Sequence, residues 1–165
     1  FRGYLQNKFL EIINNNIKVR FLGDTNPLPK DILSQMRNLE NQSNQNDGFY
    51  LNIALNYGGR DEIVRAMRKI ISDLTDKKIN PNDLDENLIS DYLDTAGQPD
   101  PDLIIRTAGE KRLSNFLLWQ TPYSELYFVE EMWPDFSVDC LSKALLAYQK
   151  RTRKFGSAPI KNFNI

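Results

Sequence analysis

The sequence predicts an α/β domain: a mostly parallel sheet flanked by helices. Three observations carry that prediction. Short apolar runs at 17–22, 49–57, 103–105 and 126–129 have the length of strands, and helical periodicity fills the intervals between them. The runs read as near-continuous rather than alternating, which suits a parallel sheet covered on both faces. Glycine- and proline-rich breaks, above all Gly97-Gln98-Pro99-Asp100-Pro101, separate the two kinds of segment.

Each element follows in order. Tyr4, Leu5, Phe9, Ile12 and Ile13 recur at helical spacing, so the chain opens inside a helix. Because it starts at Phe1 rather than methionine, we expect an N-terminal portion to be missing. Asn14-Asn15-Asn16 reads as a turn, and 17–22 as a buried strand ending at Gly23-Asp24. Pro27 and Pro29 break the chain before a helix with the stripe Ile32, Leu33, Met36 and Leu39, whose amide-rich tail, 41–48, reads as a mobile loop. The strand at 49–57 ends at Gly58-Gly59. A long helix follows, with Ile63, Val64, Met67, Ile70, Ile71 and Leu74 on one face. Pro81 and Asp83 open a shorter helix carrying Leu84, Leu88, Ile89, Tyr92 and Leu93. After the strands at 103–105 and 126–129, Leu141, Ala144, Leu145 and Tyr148 mark a last helix running into the basic stretch 150–154, read as a solvated helix end. No repeat or linker divides the chain, so residues 1–165 are expected to form a single domain.

Composition narrows the function classes. With 41% hydrophobic and 26% charged residues the chain is an ordinary globular sequence. A net charge of -1 provides no basic field for wholesale nucleic-acid binding. The lone Cys140 forms no internal disulfide, and with no histidine in the chain there is no Cys/His zinc set and no imidazole for acid–base work. No apolar run reaches the ~20 residues of a membrane span, so we expect a cytoplasmic setting, with docking at the inner membrane surface still open.

The chemistry is expected beyond the carboxyl ends of the strands, where open parallel sheets bind ligands. Those ends are Gly23-Asp24, Asn56-Tyr57-Gly58-Gly59-Arg60 and Arg106-Thr107-Ala108-Gly109-Glu110. Arg106 leaves an apolar strand, and Thr107, Ala108 and Gly109 are small enough for a ligand to approach the backbone. Arg112 follows, and Ser114 is a suitable N-cap for a helix over 116–119. Two guanidiniums, a hydroxyl and helix-start N–H groups in one place would bind a diphosphate. The competing reading is a satisfied ion network of Arg106 and Arg112 with Glu110 and Asp102.

At these residues a resemblance appears. The run Asp102-Leu-Ile-Ile-Arg-Thr-Ala-Gly-Glu-Lys-Arg-Leu-Ser-Asn-Phe-Leu-Leu-Trp-Gln120 resembles the signature of the cis-prenyltransferase family, which includes the undecaprenyl diphosphate synthases. Tyr123-Ser-Glu-Leu-Tyr-Phe128, Trp133-Pro-Asp-Phe136, the block at 51–63 and the basic ending Arg151-Thr-Arg-Lys-Phe-Gly156 extend the similarity from the first strand onward. Ala108 stands where the family usually has serine or glycine. The resemblance implies a homodimeric, magnesium-dependent enzyme that adds isopentenyl diphosphate to an allylic prenyl diphosphate with cis geometry. It further implies that Arg106, Arg112, Leu113 and Ser114 bind isopentenyl diphosphate, Glu110 orients the arginines, and Glu125 is a magnesium ligand. Arg60 would brace the site, and Trp133 and Asp135 would shape the fold and the dimer interface. The family's opening strand with its Asp-Gly-Asn-Gly-Arg loop and the following histidine do not occur in the chain, so the resemblance implies that one or more N-terminal strands are missing and that the chain is inactive alone. The alternative is a non-catalytic partner subunit of a heteromeric enzyme. A generic phosphate-binding α/β domain would require the nineteen-residue match to be coincidence.

Overall fold

The computed structural model describes residues 11–153. They fall into two compact units, the first reaching Gln98 and the second starting at Pro99. Each holds one pair of parallel strands packed with helices, an α/β fold as the sequence predicts.

In the first unit β1 (Ile17–Leu22) pairs with β2 (Phe49–Ala54) in parallel, Ile17 opposite Phe49 and Leu22 opposite Ala54. The helix α1 (Lys30–Ser43) connects them and packs on β1. Leu39 is fully buried and joins Ile12 and Val19 in the core, with Ile17, Phe21, Leu51 and Ile53 packed around them. Of the opening helix, residues 11–14 are helical, whereas Tyr4, Leu5 and Phe9 lie outside the described residues.

Three readings of this unit are corrected. Helix α1 runs on through Ser43, into the segment expected to be loop. Ser43 is wholly buried, and its Oγ accepts a hydrogen bond of 3.1 Å from the Val19 N–H. Strand β2 stops at Ala54, because Asn56 adopts a φ of 49°, which no ladder tolerates. Third, β1 alternates: Lys18 stacks over the Tyr50 ring, and Arg20 extends to donate 2.7 Å to the Ala96 carbonyl. Lys18 thus covers an aromatic face and Arg20 reaches a carbonyl past an apolar surface, so the strand needs no unbroken apolar run.

Helix α2 (Gly59–Thr75) buries Gly59, Glu62, Ala66 and Ile70. The expected face is therefore rotated: Ile70 is inside, but Val64 and Ile71 are 47% and 57% exposed. A buried carboxylate displaces the apolar stripe, for reasons given below. A short 3₁₀ turn (Pro81–Asp83) and α3 (Glu86–Tyr92) follow; the Asp85 side chain caps α3 by accepting 2.7 Å from the Leu88 N–H. Leu93 then enters the core.

In the second unit β3 (Leu103–Arg106) and β4 (Glu125–Phe128) pair in parallel, with Leu103 opposite Glu125 and Arg106 opposite Phe128. Parallel strands are usually joined by a helix. Here the crossover 107–124 has none, and the helix expected over 116–119 does not form. Ser114, Asn115 and Leu117 all take positive φ (49°, 65° and 45°), and the segment closes as successive turns, Phe116 N–H to Leu113 O and Gln120 N–H to Leu117 O. Pro122 disfavours helix at Thr121, and burial of Gln120 and Thr121 fixes the turns from the other side. A 3₁₀ turn (Trp133–Asp135) precedes α4 (Val138–Gln149), whose first turn is capped by Ser137. Cys140 and Ala144 are its buried residues, and Leu141 and Leu145 of the expected stripe are exposed.

Candidate functional site

The carboxyl end of β3 opens onto a cleft of about 350 Å³. Ile104, Ile105, Leu113, Phe116 and Phe128 form its apolar wall, and Arg106, Thr107, Ala108, Glu110 and Arg112 its polar side. Arg106 leaves the strand half-buried; its carbonyl accepts 2.9 Å from the Val129 N–H, while its side chain makes no hydrogen bond or ion pair among the described residues. Its guanidinium is thus an uncommitted cation at the edge of an apolar surface. Arg112 pairs with Glu110 across the same cleft. Asp102, the other carboxylate of the competing network, pairs with Arg153 instead. Half of that network therefore exists, and it leaves Arg106 free for an anion.

The turn between strand and cleft is held by its backbone. The Ala108 N–H donates 2.8 Å to the Glu131 carbonyl, and the Gly109 N–H donates 2.8 Å to that of Val129. Both residues adopt left-handed conformations, φ 65° and 64°. At 109 the left-handed backbone is what favours glycine, since a Cβ there would meet only the end of the exposed Glu130 side chain, which can swing aside. Ala108 takes the same conformation with a Cβ present, which stores strain at the rim of the cleft.

Of the residues expected in the site, Arg106, Glu110, Arg112 and Leu113 come together. Ser114 and Glu125 do not. Ser114 is exposed outside the cleft and caps no helix. Glu125 begins β4, at the opposite end of the paired strands from Arg106, roughly 10 Å away at the usual rise per residue. Its Oε2 accepts 2.6 Å from Arg151. Among the described residues no three Asp, Glu, Cys or His side chains gather as a metal cluster. Magnesium takes six oxygens in near-octahedral array. It is commonly held by one or two carboxylates together with waters and substrate phosphates, so Glu125 could serve as one such ligand only on leaving Arg151. The basic stretch at 150–154, read as solvated, proves to be partly anchored: Arg151 and Arg153 both hold carboxylates.

The strand ends of the first unit are knit to each other. Asn56 donates 2.8 Å from Nδ2 to the Asp24 carbonyl, and a Cβ on Gly23 would lie 2.3 Å from Leu55 O. Gly58 is the N-cap of α2 and Gly59 its buried first residue, as the strand-to-helix reading of that block anticipates. Beneath them lies a polar network that periodicity did not reveal. Glu62, 1% exposed, accepts from the Tyr57 hydroxyl at 2.6 Å and from the Asp94 N–H at 2.9 Å. Asp94 in turn accepts two bonds from Arg65, at 2.8 and 2.6 Å, and one from the Gly23 N–H at 2.8 Å. Burial alone would push the Asp94 carboxyl up, but the hydrogen bonds from Arg65 and Gly23 outweigh it and hold it below its ordinary value. The four-residue spacing of Asp61 and Arg65 signals one ion pair in the sequence. Asp94, twenty-nine residues from Arg65, gives no such signal.

Comparison with known proteins now decides the family. Residues 1–156 match the family model described as "Putative undecaprenyl diphosphate synthase". The chain belongs to this family. Isoprenyl transferase of Streptococcus pneumoniae is 49% identical over 157 residues, covering 93% of this chain and 62% of the relative. That of Prochlorococcus marinus is 46% identical over 156 residues, with 94% and 57% covered. The chain thus spans about three-fifths of the length of the curated relatives it matches. Among solved structures, lavandulyl diphosphate synthase from Lavandula x intermedia, in complex with dimethylallyl diphosphate, superposes with a TM-score of 0.89 at 38% identity, over 94% of this chain and 67% of that one. A probable undecaprenyl diphosphate synthase from Campylobacter jejuni gives 0.81 at 31% identity, over 94% and 71%. The chain is accordingly a prenyltransferase-family sequence of α/β fold, and its relatives are named as isoprenyl transferases.

Proposed function

We propose that the cleft at the end of β3 grips isopentenyl diphosphate and that the chain is the corresponding portion of an undecaprenyl diphosphate synthase. The arrangement of the cleft supports this: an unpaired Arg106 side chain and an Arg112 paired with Glu110 border a wall of Ile104, Ile105, Leu113, Phe116 and Phe128. Such a cleft complements an amphiphile with a dianionic or trianionic head and a short hydrocarbon. Guanidiniums hold diphosphate oxygens in pairs and stay charged at any working pH. The apolar wall covers the isopentenyl carbons and keeps water from the double bond. Arg106 would take the head group first, and Arg112 would join it on leaving Glu110. Ser114 would contribute its hydroxyl only on a rearrangement of 113–117. That the lavandulyl diphosphate synthase structure holds a prenyl diphosphate supports a ligand of this class.

In the whole enzyme the held double bond would attack an allylic diphosphate such as farnesyl diphosphate, repeatedly and with cis geometry, to make the polyprenyl carrier lipid of cell-wall synthesis. Magnesium would there neutralise diphosphate charge, with Glu125 as one of its ligands; among the described residues no cluster of three or more acidic side chains gathers to hold it. A homodimer working in the cytoplasm, at the inner surface of the membrane, completes the reading; no described helix is long and apolar enough to cross a membrane.

Isothermal calorimetry with isopentenyl diphosphate tests the site. Arg106→Ala and Arg112→Ala should each weaken binding about tenfold or more, since a charge-assisted pair contributes roughly 1.5–3 kcal/mol. Unchanged affinity in both would remove the assignment. The 165-residue chain lacks an Asp-Gly-Asn-Gly-Arg sequence, so with farnesyl diphosphate and magnesium it should bind without condensing. Radiolabelled isopentenyl incorporation above background would contradict that.

A further inference from the structure

We infer that Asp47-Gly48 is a site of aspartate isomerisation, and that Asn16 keeps the reaction slow in the folded chain. Of the eight glycines, Gly48 alone follows an aspartate or an asparagine. The site is remote in chemistry from the cleft, and the inference uses neither the cleft nor its ligand.

The fold requires glycine at 48. A Cβ there would lie 2.7 Å from the Asn16 carbonyl oxygen and 2.9 Å from Asn16 Nδ2. That carbonyl cannot easily give way, because it accepts 3.3 Å from the Phe49 N–H where the β1–β2 ladder begins. Glycine in turn leaves its own nitrogen unhindered and its backbone free to rotate. Asp47 and Gly48 are exposed and precede β2 outside any helix or strand, so local rotation can bring the Asp47 carboxyl to the Gly48 nitrogen. The reaction conserves its atoms. The Gly48 nitrogen attacks Cγ of Asp47 in its neutral carboxyl form, an N–C bond forms, and the carboxyl hydroxyl leaves with the amide proton as water. Water then opens the succinimide. Attack at Cγ restores aspartate, whereas attack at the main-chain carbonyl leaves an isoaspartate, with the chain running through the side-chain carbon. Nothing is oxidised or reduced.

Asn16 opposes the attack. Its Nδ2 donates 2.9 Å to Asp47 Oδ1, and its Oδ1 accepts 3.2 Å from the Asp47 N–H. One side-chain amide thus holds the carboxylate and the backbone of Asp47 together, and the carboxylate must leave it before its carbon can turn to Gly48. Asn16 does so from a φ of 56°, which asparagine tolerates. An isoaspartate would lengthen the main chain by a methylene just before Phe49 meets Ile17 in register, and would unseat the first rung of the strand pair.

Ageing the intact chain for weeks in neutral buffer at body temperature tests the inference. Isoaspartate is read with an isoaspartyl methyltransferase carrying a labelled methyl group, and located by mass spectrometry in the tryptic peptide 38–60. Isomerisation leaves the mass of the unmethylated peptide unchanged, which separates it from deamidation of the neighbouring asparagines. Label should accumulate in this peptide, and Asn16→Ala should speed it about two- to tenfold, the factor set by the hydrogen bonds removed. Asp47→Glu should abolish the mass-neutral signal. In urea, where the contact is gone, wild type and Asn16→Ala should react at one rate. Ser43→Ala loosens the same unit but keeps the Asn16–Asp47 pair, and should react as wild type does. Label absent from 38–60 in both wild type and Asn16→Ala, or persisting in Asp47→Glu, would overturn the site. An Asn16→Ala rate equal to that of wild type, matched by Ser43→Ala, or still different in urea would overturn the protection.

Discussion

Ala108 is the residue at which local conformation and site meet. Its φ of 65° places its Cβ against the following carbonyl, a cost of roughly 1–2 kcal/mol for an L-residue that glycine does not incur. Glycine also loses more chain entropy on folding, about 0.5–1 kcal/mol, which offsets part of the relief. Ala108→Gly should therefore stabilise the chain by up to about 1 kcal/mol, and urea unfolding measures it; destabilisation would show that the methyl group packs favourably. The sequence showed that a small residue belongs here. It did not show that the backbone would be left-handed at 108, 109, 114, 115 and 117, and so it placed a helix where the chain turns. Asparagine tolerates positive φ, but serine and leucine do not favour it, and tertiary closure imposes it on them.

At the scale of elements, β1 shows how a strand edge is finished without another strand. On the side facing away from β2, its polar backbone groups bond in turn to side chains. The Ile17 carbonyl accepts from Asn46 at 2.8 Å, the Val19 N–H donates to Ser43 at 3.1 Å, the Phe21 N–H to Glu40 at 2.9 Å, and the Gly23 N–H to Asp94 at 2.8 Å. Buried backbone groups must be paired, and a free edge invites pairing with another chain. Helix α1 and its tail do that work, which explains why residues 40–46 are polar and yet ordered by contact with β1. Ser43→Ala should leave the Val19 N–H unpaired in a buried setting, costing about 1–3 kcal/mol by thermal or urea unfolding. A loss below a few tenths would mean that water reaches the amide. Strand and helix positions were legible from periodicity. The use of Ser43 and Glu40 was not, because a bond between residues 24 or 19 positions apart leaves no periodic trace.

For the molecule as a whole, the buried charges of the first unit tie stability to acidity. Asp94 is held below its ordinary pKa in the folded state. Its contribution is therefore fully present above the unfolded value, about pH 4, and is lost as pH falls through the lower, folded value. Asp94→Asn should destabilise the chain at neutral pH and flatten the acid limb of its stability profile; a limb of wild-type steepness would place the acid sensitivity elsewhere. The two-unit organisation was not read from the sequence, which contains no linker to mark it. The run at 102–120, by contrast, led directly to the family that the comparisons establish.

By itself, then, the sequence determined what is local or chemical: the α/β order, the strand at 17–22, the glycine at 109, the arginines at 106 and 112, and membership of a prenyltransferase family. These follow from periodicity, turn chemistry and side-chain type, which neighbouring residues suffice to set. Only the tertiary structure decided which charges are spent on each other. Arg112 meets Glu110, and Asp102 and Glu125 take Arg153 and Arg151, so that the Arg106 side chain faces the cleft uncommitted; in the first unit Glu62 and Asp94 lie beneath the strand ends. Charge pairing depends on distances of a few ångströms between residues far apart in the chain, and those distances exist only once the strands are in register.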